Sequence, residues 1–306
     1  MFRTWNILIV TLKGFGDESA DAKKERVFAV AAIFGTEDEW GLAMREWLRR
    51  TRGLPFHATD CEAVFGEHRQ ASLDLYRDLT QILAKSYLVG FAVALDLVSY
   101  REVFAHGGPP DWAYFKSLAD VIGAAARTAN KFNNGPDPET VKLEFTFDSR
   151  LESNGTAGTM YTALANQPEW ADSGIFHTKI TFDGGVGKSP RLEIGDLFAH
   201  ESMKELDRKI TGVPSKIRAS YAALEATKKF HFIEHRREFW EELKAFVETP
   251  ENIALIGQFD EWLTKKRMLM ADGRPDRSMN NWYLFNAWLD NQDVLKKKRV
   301  ASSAFA

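Results

Sequence analysis

With 306 residues, 44% of them hydrophobic and 27% charged, the chain has the composition of a globular protein with a substantial core, built as one large domain or one domain with an added lobe. Its net charge of -3 excludes a whole-chain basic field, so nucleic-acid contact would need local patches; its single cysteine, Cys61, excludes an intrachain disulfide and a multi-cysteine zinc site. A reducing cytoplasm is the expected compartment, and no run of about 18 apolar residues is present to cross a bilayer.

Residues 1–12 lack a signal-peptide core and a small-residue cleavage site, and 7–12 is apolar and β-branched enough for a strand. The stretch 12–19, Leu-Lys-Gly-Phe-Gly-Asp-Glu-Ser, closes that strand with adjacent carboxylates, Asp17 and Glu18, while Gly14 and Gly16 leave the backbone open to close approach. A solvated acidic turn is the plain alternative. The apolar run 27–34, closed by Gly35, reads as a buried strand and pairs with the first as a hairpin. Residues 36–52 have helical spacing, with Trp40, Met44, Trp47 and Leu48 on one stripe and Thr36 and Glu39 forming a capping box. Next, 56–62 places His57, Asp60, Cys61 and Glu62 on a loop; without the paired spacing of a zinc motif, a polar loop lining a cleft competes with a metal site. A helix over 65–85 carries Leu73, Tyr76, Leu79 and Leu83 on one face, and 87–97 is a third strand.

A Gly-Gly-Pro-Pro loop within 103–110 precedes an Ala-rich helix over 112–131, with Tyr114, Leu118, Val121 and Ala125 inward and Asp120 as its only central acid. After a turn at 133–138, the segment 141–148 alternates, with Val141, Leu143, Phe145 and Phe147 on one face and an acid, Asp148, at its end. A short helix at 154–166, a fifth strand at 175–183 and a glycine-rich loop lead into a helix over 192–209, stopped by Gly212 and Pro214. There Asp196 shares its stripe with Leu192, Ala199 and Met203 and so points inward, which is costly unless it is paired, capping or bound to a metal. The remainder, 213–306, shows no strand and reads as a helical extension packed on a 1–212 domain; its Lys-Lys-Lys-Arg at 296–299 is a solvated tail or a phosphate contact.

Apart from the extra helices after the second strand, this order of strands and helices is that of a ribonuclease H-like fold, an α/β class with a mixed five-stranded sheet flanked by helices, which carries acids on its first strand, fourth strand and last helix. Asp17, Asp148 and Asp196 stand in those places. The Gly-Asp-Glu-Ser opening with the 27–35 strand, the Phe-His-Ala-Thr-Asp stretch and the Leu-Glu-Ile-Gly-Asp-Leu-Phe-Ala-His segment at 192–200 resemble the family known as domain of unknown function 3800. The resemblance covers about residues 10 to 210; Ala20, Glu193 and Gly195 replace that family's usual Gly, Gln and Ala, and no acid is lost. It implies a metal-dependent nuclease with nucleic acid as substrate. Converging carboxylates repel one another until a cation neutralises them, and oxygen ligands select hard ions such as Mg²⁺ or Mn²⁺. The expected ligands are Asp17, Asp148 and Asp196, with Glu18 a fourth only if the chain turns there; Glu144, Glu201 and Asp120 are weaker candidates. His57 or His200 could assist proton transfer, against the ordinary reading of hydrogen-bonded structural histidines.

Two other readings compete. The loop Gly184-Gly185-Val186-Gly187-Lys188-Ser189 resembles part of a phosphate-binding loop, but Phe182 stands where the full pattern needs glycine and Pro190 follows at once. A non-catalytic interaction module, with structural acids and a helical extension that binds a protein partner or a second copy, is the other, in a role such as defence against phage or mobile DNA.

Overall fold

The computed structural model describes residues 10–104, 117–118, 120–125, 128, 141–148, 180–183, 189–212, 216–271 and 273–275. Among the described residues six strands form one sheet: β1 (Val10–Ala20), β2 (Val27–Gly35), β3 (Val89–Asp96), β4 (Val141–Asp148), β5 (Ile180–Asp183) and β6 (Phe230–His235). Their order across the sheet is β5-β4-β1-β2-β3-β6. β2 pairs antiparallel with both β1 and β3, whereas β4 is parallel to β1, β5 to β4 and β6 to β3, so β2 alone runs against the other five. The first five strands are the ribonuclease H-like sheet expected from the element order.

β2 shows why the centre is stable. All nine of its residues are buried, because apolar layers cover both faces of the sheet. One face carries Phe28, Val30, Phe91, Val93, Phe145 and Phe147 under Leu118, Val121, Ile122 and Trp240. The other carries Phe15, Ala31, Ile33 and Ala92 under α1 (Glu37–Thr51), α3 (Arg69–Lys85) and α5 (Arg191–Thr211). α1 starts with the expected capping box, Thr36 accepting from the Glu39 amide and the Glu39 carboxylate accepting from Thr36 N. Trp40, Met44 and Trp47 are buried as the spacing requires; Leu48 and Leu73, placed on inward stripes, are instead 39% and 42% exposed because the core has ended before it reaches them.

Three sequence readings need correction. Val10–Ala20 is one continuous strand that runs past the expected end at residue 12, so Asp17 and Glu18 lie within it rather than closing it. The supposed loop at 56–62 contains a short helix, α2 (Ala58–Ala63), and α4 (Leu97–Val103) follows β3 directly, with Asp96 accepting from the Ser99 amide as its cap. Among the residues read as wholly helical, Phe230–His235 is a strand, β6, between α6 (Ala219–Glu225) and α7 (Arg237–Val247); α8 (Pro250–Lys265) follows. Those six residues are too few for a periodicity signal, and the open edge of β3 decides their state. The expected helix at 154–166, the turn at 133–138, the last helical segment and the basic run at 296–299 lie outside the described residues.

β1 is wedged from both sides. A Cβ on Gly16 would press on the Phe147 ring and come within 2.5 Å of the Ala31 carbonyl oxygen, and a Cβ on Gly195 of α5 would stand 3.2 Å from the Gly16 Cα. The Gly16→Ala variant must push a neighbouring strand or ring aside, and a loss of about 1–3 kcal/mol in stability is expected, read as a lowered urea midpoint with unchanged slope.

Candidate functional site

Register brings the acids together. Gly16 is aligned with Phe147, so one step along these parallel strands Asp17 stands beside Asp148, and Asp148 is aligned in turn with Asp183 of β5. All three project to the face covered by α5: Asp17 is paired with Ala31 of that core, and Asp148 alternates with Phe145 and Phe147 of the opposite one. α5 then crosses β1 with Gly195 against Gly16 and only 3.3 Å from the Asp17 amide nitrogen, as measured from an ideal Cβ, and Asp196 is the next residue of α5 after that crossing. Asp17, Asp148 and Asp196 are 9%, 4% and 3% exposed, so these are interior carboxylates.

The described hydrogen bonds to these acids come from backbone amides. Asp17 Oδ1 accepts from the Glu18 amide at 2.7 Å, Asp183 Oδ2 from the Ser189 amide at 3.1 Å, and Asp196 Oδ2 from the Ala58 amide at 2.7 Å. The last bond gives Asp196 a capping role: His57, at the N-cap of α2, makes no capping bond of its own, and Asp196 supplies the acceptor from another helix. Its Oδ1 lies 3.9 Å from His57 Nε2.

Among the described residues no three His, Cys, Asp or Glu groups stand close enough to hold an ion between them. The donor set nonetheless fits a hard divalent cation, because Mg²⁺ keeps several waters and is held by one or two carboxylates together with substrate oxygens. Asp17 and Asp148, neighbours across adjacent strands, are such a pair.

The other expected residues disperse. Glu18 is corrected: β1 does not turn at 17–18, so Glu18 is aligned with Val30 on the opposite face and reaches Lys24 at 3.8 Å. Glu144 is exposed and lies a full four residues before Asp148, away from the row. Asp120 accepts a 2.6 Å hydrogen bond from His235 among the residues of the opposite core. The four candidate zinc ligands diverge: Cys61 Sγ meets Ser72 at 3.1 Å, Glu62 turns to His200, and His57 lies 3.8 Å from Asp60. Of the glycine-rich loop only Ser189 is described, and 184–188 lie outside. Asp183 was missed by the sequence reading; the available signal was a second strand that ends in aspartate, as β4 does.

Glu201, fully buried, belongs to a separate network that reaches the surface at Arg218 and Glu62. Tyr76 donates to it at 2.5 Å and the Arg218 guanidinium binds both its oxygens at 2.6 and 3.0 Å, while Arg218 also contacts Glu62. His200 Nε2 lies 3.0 Å from the second Glu62 oxygen. A carboxylate only accepts, so Nε2 carries the proton; His200 Nδ1 is buried and has no hydrogen-bond partner among the described residues. Burial pushes the Glu62 pKa up, but the His200 hydrogen bond and the Arg218 charge outweigh it and hold the group at about 2.

No family model matches the sequence, and no curated protein does. Among solved structures, a chain of the PCNA:RNase HII complex from Archaeoglobus fulgidus is 13% identical over 71% of this chain and 87% of its own, with a TM-score of 0.37. A mutant protein of Bst-RNase HIII is 11% identical over 76% of this chain and 66% of its own, with a TM-score of 0.36. At identities and TM-scores this low, the fold class rests on this chain's own strand order.

Two outcomes are expected. Asp196→Ala removes the acceptor of the Ala58 amide and should cost about 1–3 kcal/mol in urea unfolding, whereas Asp196→Asn keeps an oxygen there and should stay within about 1 kcal/mol of the parent. Because the Glu62 pKa is lowered on folding, its contribution is complete above the ordinary value of 4.5 and disappears as pH falls toward about 2. Glu62→Gln should therefore flatten the acid limb of stability against pH between those limits, by on the order of 2–3 kcal/mol.

Proposed function

We propose that the protein is a metal-dependent hydrolase of phosphodiester bonds, a nuclease, working at Asp17, Asp148 and Asp196, with Asp183 at the end of the same row. One observation supports the reading: register aligns buried Asp17 and Asp148 with Asp183 on one face of parallel strands, and α5 crosses β1 at Gly16 with buried Asp196 next along it. The resemblance to domain of unknown function 3800 supports the same activity and the same acids. Asp17 and Asp148 would hold Mg²⁺ or Mn²⁺ and Asp196 would close the site from α5. Such an ion supplies charge stabilisation at a phosphoryl oxygen and acidifies a bound water. The chain's own part is to hold these carboxylates rigid on strands and helix, and to keep the Asp196 rotamer fixed through the Ala58 amide.

A second reading, an interaction module with structural acids, is favoured by one fact: Asp196 already has a cap to make. The two diverge under metal. On the nuclease reading, Mn²⁺ at about 100 times its dissociation constant stabilises the fold by about 2.7 kcal/mol, a rise of roughly 5 °C in melting temperature for a chain of this size. Asp17→Asn and Asp148→Asn should abolish that rise and lower cleavage of labelled DNA and RNA oligonucleotides by at least about 100-fold, the scale on which removal of one catalytic group acts. A melting curve indifferent to millimolar Mn²⁺, with intact oligonucleotides, would leave the interaction module standing.

A further inference from the structure

We propose that Arg218 and Glu62 are positioning residues for Asp196, so that the segment after Gly212 completes the acid site; the inference rests on the metal-dependent reading of that site. α2 is the intermediary. It has six residues, too few to hold helical form unaided, and its N-cap side chain makes no capping bond. What fixes it is contact with other elements. Its Ala58 and Cys61 are buried, and its far end is tied to α5 by Glu62, which takes the Arg218 guanidinium on one oxygen and His200 Nε2 on the other.

Arg218 precedes the first residue of α6 and is itself anchored through Glu201, which is fully buried on α5. His200 and Glu201 follow Asp196 by four and five residues on the same helix. α2 is therefore clamped to the helix whose aspartate its own first amide contacts at 2.7 Å. The clamp sets where the Ala58 N–H points, and that bond selects the Asp196 rotamer. On the metal-dependent reading Asp196 closes the site over the ion held by Asp17 and Asp148, and loss of a residue that orients such an acid typically weakens metal binding by about 10-fold or more.

Glu62→Ala is the informative variant, because it cuts the tie to α2 while leaving the half-buried Arg218 paired with buried Glu201. Glu62→Asp keeps a carboxylate that accepts from both donors and is the conservative control, and Arg218→Met provides a second cut. The full-length chain is compared by amide hydrogen exchange at Ala58 and by calorimetric titration with Mn²⁺ alone. The expected result is exchange at Ala58 at least about tenfold faster in Glu62→Ala and Arg218→Met, unchanged exchange in β1, and Mn²⁺ binding about tenfold weaker. Glu62→Asp should keep both within about threefold of the parent. Unaltered Ala58 exchange in a folded Glu62→Ala would overturn the clamp. Faster exchange with wild-type Mn²⁺ affinity would overturn its role at the site and leave a scaffold contact. If the wild-type chain takes up no Mn²⁺, the nuclease reading itself is what fails, and the positioning role falls with it.

Discussion

The site depends on one backbone contact, the crossing of α5 over β1 at Gly195 and Gly16. With side chains at that point, helix and strand would be held apart by at least a methyl group. Without them the helix backbone comes down onto the Gly16–Asp17 peptide, and Asp196 follows directly. On the other face the rings of Phe147, Phe145 and Phe34 occupy the notches that Gly14 and Gly16 leave. β1 is thereby compressed between two layers, and the strand that carries Asp17 has little room to shift.

Carboxylates wholly or partly withdrawn from water are expensive, and this chain handles two groups of them differently. Asp17, Asp183 and Asp196 accept main-chain amides, from the next residue, from the approach to α5 and from the first turn of α2. Amide donors fix a carboxylate's direction and stabilise its charged form without being another mobile side chain. Glu62 and Glu201 instead share the Arg218 guanidinium, whose planar fork serves two acids at once. The first arrangement suits groups that must stay in place at a ligand site, the second groups that bind helices to one another.

The segment after Gly212 is more than a covering layer. β6 extends the sheet beyond β3, Phe230 packs on Phe198 of α5 at a centroid distance of 5.3 Å, and Arg218 reaches back to α2 and α5. Trp240 of α7 donates to the Asp96 carbonyl at 3.1 Å in the opposite core. Both faces of the acid-bearing sheet are thus braced by residues from this part of the chain.

Periodicity and punctuation in the chain suffice to predict β2, α1, α3, β4 and α5, because each has a long apolar pattern or a cap that local physics reads in one way. The inward direction of Asp196 was legible for the same reason, since Leu192, Ala199 and Met203 mark its stripe. The placement of Asp17 beside Asp148 was implied by element order alone, but Asp183 was not: β5 is described over four residues, and only its register with β4 sets its last residue in the row. Glu18 shows the converse, for adjacent acids in a sequence are parted when pairing with β2 keeps the strand extended through both. β6 and the Arg218 clamp lay beyond local patterns altogether, because the free edge of β3 and a buried glutamate on α5 are tertiary partners, and no spacing within the segment itself records them.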